Sequence, residues 1–110
     1  MEYKVVITSP AKRQLEKYVA YTANCLKNKQ AAKSIIDDAK ATKKELAIVA
    51  GNLPLCEDEV LAQNSYRKIH FIKHKFFMIY RLDGNIAVVD AMYHELQDYE
   101  STFAVIRHLK

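Results

Sequence analysis

The sequence contains no tryptophan and only two glycines, two prolines and two cysteines in 110 residues. So little glycine and proline excludes a collagen-like, linker-like or low-complexity chain, and a 50% hydrophobic content is enough to build a core. Cys25 and Cys56 lie too far apart for a CxxC metal or redox motif and are too few for a disulfide-built secreted domain, so a reducing compartment is expected. No apolar run approaches the roughly 18 residues of a membrane-spanning helix. The opening MEYKVVITSP alternates instead of placing a basic region before an apolar stretch, which again points to the cytoplasm. A chain of this length forms one domain, 1–110, which excludes a multidomain enzyme or a transporter. The net charge of +4, from 17 Lys and Arg against 13 Asp and Glu, permits a polyanionic partner without demanding one.

What is present has clear periods. Tyr3 to Thr8 is rich in β-branched residues and reads as a strand, ending at Ser9-Pro10, where Ser9 can cap a helix and Pro10 fits its first turn. Ala11, Leu15, Tyr18, Val19, Thr22 and Leu26 then recur at helical steps. Asn28 can cap a second helix, in which Ala32, Ile35, Ile36, Ala39, Leu46 and Val49 keep that period up to Gly51. The short joint at Lys27-Asn28 makes the pair an antiparallel hairpin. Residues 51–59 read as a loop. Tyr66 to Ile72, Phe76 to Leu82 and Asn85 to Tyr93 are strand-like, with Asp83-Gly84 as a tight-turn pair, and form an antiparallel meander. From Ser101, Phe103, Ile106 and Leu109 space as a short helix. The expected fold is α+β, in the order β-α-α-β-β-β-α, an antiparallel sheet with a helical hairpin on one face. The other face stays open unless the last helix or a partner covers it, and function is expected there.

Charge is segregated along the chain. Residues 60–81 carry Arg67, Lys68, Lys73, Lys75 and Arg81 and no acid, whereas residues 82–100 carry Asp83, Asp90, Glu95, Asp98 and Glu100 and no Lys or Arg. The basic run is interleaved with Tyr66, His70, Phe71, His74, Phe76, Phe77 and Tyr80, a mixture suited to phosphate contact and base stacking. A solvated edge with its aromatics turned inward gives the same pattern. Alternation places Phe76, Met78, Tyr80 and Leu82 toward the core and Lys75, Phe77, Ile79 and Arg81 on the other face, which serves equally as an interaction face or a solvated one.

The opening Y-x-V-x-I-T-x-x-A segment, the helical hairpin, Tyr66-Arg67, Tyr80-Arg81, Asp83-Gly84 and the closing Tyr93-His94-Glu95-Leu96-Gln97-Asp98-Tyr99 together resemble the RelE/ParE superfamily of bacterial type II toxins. The resemblance spans nearly the whole chain. It implies a small toxin that halts growth when released from a cognate antitoxin protein. RelE-like members cleave messenger RNA in the ribosomal A site, using the 2′-hydroxyl as nucleophile and side chains in place of a metal or cofactor. ParE-like members poison DNA gyrase and are not known as nucleases.

A ribonuclease needs a base for the 2′-hydroxyl, cations for the phosphate and a donor for the leaving oxygen. His94 is the leading candidate, because Tyr93-His94 resembles the terminal Tyr-His of the YoeB branch and imidazole titrates near neutral pH. Tyr99 falls where RelE members carry a functional tyrosine, and Arg81 completes the catalytic set. Lys73, His74, Lys75 and Arg67 are candidates to hold phosphates. The structural alternatives are a strand-end His94 bonded to Asp98 or Glu95, and a Tyr99 that only packs. Phe77 is a departure: it falls where nucleolytic members carry an arginine on the phosphate, and a phenyl ring cannot donate to an oxyanion, although Lys75 or Arg81 lies one same-face step away. The long hairpin, residues 10–50, and the H-x-x-Q-D ending look more ParE-like. Tyr93-His94 and the basic strands favour ribosome-dependent cleavage of messenger RNA, with gyrase inhibition as the alternative and a degenerate toxin that only binds its antitoxin as a third possibility.

Overall fold

The computed structural model describes residues 2–95. Tyr99 and the expected C-terminal helix lie outside the described residues. In chain order the elements are β1 (Lys4–Ile7), α1 (Ser9–Ala20), a π-helical turn (Tyr21–Cys25), α2 (Lys29–Val49), α3 (Glu59–Gln63), β2 (Arg67–His70), β3 (Phe76–Asp83) and β4 (Ile86–His94). Among the described residues no helix is long and apolar enough to cross a membrane.

The sheet order is β1-β4-β3-β2. The pairs β2–β3 and β3–β4 are antiparallel, as the meander requires, whereas β1 adds to β4 in parallel, with Lys4 opposite Ile86 and Ile7 opposite Val89. Strand alternation tells which face a side chain takes and not which way its neighbour runs, so this parallel edge has no signature in the pattern.

Thr8, not Ser9, caps α1: its hydroxyl accepts from the Ala11 N–H at 3.5 Å, which leaves Ser9 and Pro10 inside the first turn. Proline costs nothing there, because that turn's N–H groups have no helical acceptor. Asn28 caps α2 through Oδ1 and the Ala31 N–H at 2.9 Å, after Lys27 at φ 52 has closed the hairpin. Gly51, just past α2, is needed for space and not for its dihedral freedom, since a Cβ there would collide with the Tyr3 hydroxyl. The β3–β4 turn consists of Gly84 and Asn85, one residue later than the expected Asp83-Gly84, because Asp83 still pairs with Ile86. Gly84 at φ +60 takes the left-handed first position that favours glycine in a two-residue hairpin.

Two cores lie on opposite faces. Against the hairpin, Ala11, Ile35, Ala39 and Leu46 pack on Met78, Tyr80, Ala87 and Val89. The Tyr80 hydroxyl donates to the Ala50 carbonyl at 2.6 Å, and burial pushes its pKa up to about 12. The second core joins Cys56, Leu61, Tyr66, Phe77, Ile79, Ala91 and Tyr93. The end of the expected loop, 51–59, and the residues that follow it up to Tyr66 close this face. Leu55 bridges to Arg67, the Cys56 N–H bonds the Tyr66 carbonyl at 2.9 Å, and α3 is capped by Asp58 through the Leu61 N–H at 3.0 Å. Phe77 and Ile79, placed by alternation on a face that could have been open, are therefore 2% and 0% exposed. One turn and a half of helix is too short to declare itself by period.

Candidate functional site

Where Ile79 faces Ala91 and Tyr80 faces Val89, Asp90 is left as the extra residue of a β-bulge. The bulge turns its carboxylate toward the second-core side. There Oδ2 accepts from the Tyr66 hydroxyl at 2.8 Å and from Arg81 Nε at 2.9 Å. The Asp90 hydrogen bond and charge hold Arg81 above its ordinary pKa despite partial burial. Arg81, a candidate catalytic cation, is thus paired, though its side chain remains 40% exposed.

A second carboxylate organises the chain between β2 and β3. Asp38 sits on the inward side of α2 and is 3% exposed. It accepts the N–H groups of Ile72 at 3.1 Å, Lys73 at 2.9 Å and His74 at 2.7 Å, and His74 Nδ1 at 2.7 Å. Burial pushes the Asp38 carboxyl up, but the His74 hydrogen bond, the Lys73 and His74 amides and the His74 charge outweigh it and hold the group below the usual carboxylate range. An ionised carboxylate only accepts, so His74 Nδ1 carries a hydrogen toward Asp38. His74, expected to hold phosphate, is first a partner of Asp38.

The other candidates are dispersed. Arg67 Nη1 donates to the Leu53 carbonyl. His70 Nδ1 pairs with Glu95 Oε1 at 3.0 Å, so Glu95 is engaged by His70. Lys68 Nζ lies 4.8 Å from the centre of the Phe77 ring. Lys73 and Lys75 are exposed and form no ion pair among the described residues.

His94 ends β4 opposite Phe76, with its ring edge-on to the Phe76 ring at 5.0 Å. It belongs to the hairpin side of the sheet. There it lines a mainly apolar groove of about 730 Å³ with Lys17, Tyr18, Tyr21, Leu26 and Met92. Burial raises the Tyr18 pKa, partly offset by a backbone hydrogen bond with His94. Gln14 Oε1 accepts the Met92 N–H at 2.8 Å on the groove wall. Tyr93 packs in the second core, 1% exposed, and also contributes to the groove lining beside Gln14; burial raises its pKa, partly offset by a hydrogen bond with Gln14.

The candidate catalytic set therefore does not converge among the described residues. His94 faces the hairpin groove and Arg81 the opposite side, further along β3 by about 17 Å at about 3.3 Å per residue. Lys75 adjoins the strand end of His94 through its backbone, its carbonyl accepting the Glu95 N–H at 2.8 Å. Asp38, Tyr66 and Asp90 organise the polar structure, yet none was singled out as a site residue. Asp38 did carry a signal: an acid three residues after Ile35 falls on the inward stripe of α2, where an unpartnered charge is not tolerated.

The model of the ParE toxin of type II toxin–antitoxin systems, parDE, matches residues 5–99. The chain belongs to the ParE toxin family. It is a toxin of the wider RelE/ParE superfamily, as its motifs implied. The toxin's fold is similar to that of a chain in the chromosomal ParDE system of P. aeruginosa, with a TM-score of 0.70 and 17% identity over 84% of this chain and 96% of that one. It is also similar to a chain in the RelBE2 toxin–antitoxin complex of Mycobacterium tuberculosis, with a TM-score of 0.54 and 15% identity over 86% and 99%. At such identities the likeness is one of fold. No curated protein matches the toxin in sequence.

Proposed function

We propose that this toxin arrests growth in the cytoplasm by binding and inhibiting DNA gyrase, that a cognate antitoxin protein neutralises it, and that it does not cleave messenger RNA. The observation that carries this is Phe77. At the position where the nucleolytic branch keeps its phosphate-binding arginine stands a phenyl ring that is 2% exposed in a core. Of the two cations on that face, Arg81 is bonded to Asp90 and Lys75 stays exposed at the start of the strand. Membership of the ParE family and the resemblance of the long hairpin support the same target. The test is a supercoiling assay with purified gyrase. The toxin is expected to inhibit it, and added antitoxin to restore it; undisturbed supercoiling at saturating toxin contradicts the proposal.

Ribosome-dependent cleavage remains the second reading. Its support is His94, which shares one groove with Lys17 and Tyr18. On that reading His94→Ala abolishes growth arrest while the melting temperature moves by no more than about 3 °C, as a strand-end residue contributes little core volume. Under gyrase inhibition without chemistry, the same variant keeps its toxicity.

A further inference from the structure

The segment between β2 and β3 is pre-shaped. Three consecutive amides, those of Ile72, Lys73 and His74, are fixed by the one buried carboxylate of Asp38. A segment already held in place loses little entropy when a partner binds it. It nevertheless presents a large aliphatic side chain to water, Ile72, 61% exposed. Beside Ile72 lies a depression of about 380 Å³ against α2, lined by Ile72, Lys33, Lys73, Ser34 and Asp37 among others.

We propose that this depression and its Ile72 rim are a docking surface for a protein segment that carries a carboxylate next to an apolar residue, and that the segment belongs to the toxin's target. The proposal rests on the reading above that the toxin acts by protein contact. Lys33 and Lys73 are exposed cations on the walls of the depression and can receive the carboxylate. Ile72 supplies an apolar anchor. Asp38 is taken up by three backbone amides and His74 Nδ1, so the positive character here comes from the two lysines. The charge pattern favours protein over nucleic acid. With Asp37 beside Lys33 and Lys73 the depression offers little more positive charge than one carboxylate needs and too little for a run of phosphates, and an aliphatic side chain offers no stacking platform for a base.

The experiment compares the full-length parent toxin with Ile72→Asp, Ile72→Ser and Lys73→Glu in gyrase supercoiling, growth arrest, antitoxin binding and thermal melting. Ile72→Asp should raise the half-inhibitory toxin concentration by about tenfold or more, as loss of a central anchor does. Lys73→Glu should raise it several-fold and flatten its dependence on salt. Antitoxin affinity and melting temperature should stay near the parent's, and if Ile72→Asp melts early, Ile72→Ser and Lys73→Glu decide the matter. Inhibition by the folded variants equal to the parent's overturns the surface. If the parent arrests growth but leaves supercoiling intact, the gyrase reading fails by itself and the surface is judged on arrest. Arrest lost in the folded variants then upholds the surface, and arrest retained overturns it. Variants that lose RNA binding alone, with protein contact unchanged, also overturn it.

Discussion

Asp38 and Asp90 both accept from a basic side chain, His74 and Arg81 respectively, but they hold different kinds of structure. Asp38 is buried and takes backbone N–H groups, so its donors cannot turn to water unless the chain between β2 and β3 changes shape. Asp90 takes two side-chain donors across the bulge, Tyr66 and Arg81, and the second is 40% exposed and free to be solvated in place. One carboxylate fixes a backbone; the other trims a surface. In both cases a side chain that counts as a free charge along the sequence, His74 or Arg81, is already bonded in the fold.

The largest expected effect tests the first half of this contrast. Asp38→Ala leaves three backbone amides and His74 Nδ1 without their acceptor and should lower stability by about 3 kcal/mol. For a chain of this size that is a fall in melting temperature of roughly 15 °C. Hydrogen exchange should localise the damage, with the Ile72, Lys73 and His74 amides losing protection first.

A smaller effect is expected at the bulge. Asp90→Asn keeps an oxygen for Tyr66 and loses the charge that Arg81 answers, at a cost of about 1 kcal/mol in a chemical denaturation series. Equal losses for Asp38→Ala and Asp90→Asn would break the comparison.

Acid titration sharpens it further. The Asp38 pKa is depressed in the fold, so its contribution is fully present above the unfolded carboxylate pKa and is lost as pH falls through the folded value. Melting temperature measured from pH 7 downward should therefore decline below about pH 4. In Asp38→Asn that part of the decline should be missing. A parent and variant that lose stability in parallel would show that Asp38 is not the titrating anchor.

The same distinction explains what could be read in advance. The hairpin, the Asn28 cap and the meander follow from spacing within one segment, and local spacing is visible in a sequence. The parallel docking of β1 on β4 depends on where the chain returns after the hairpin, which no local pattern encodes. Phe77 and Ile79 alternate like an exposed pair with basic ends. Their burial comes from residues 55–66, an irregular stretch with one short helix and therefore no period. Among the candidate site residues, position along the strands was legible and pairing was not. Arg67, His74 and Arg81 each meet an acceptor supplied by a different part of the chain, namely Leu53, Asp38 and Asp90. His94 lies at the strand end as expected, on the face away from the Arg81–Asp90 pair.

The most direct test of the central claim is primer extension on ribosome-bound message incubated with saturating, folded parent toxin. With Phe77 sealed in a core and Arg81 bonded to Asp90 on the far face from His94, the message should remain intact at every position. Toxin-dependent cuts in the message, absent when the antitoxin is added first, would contradict the account.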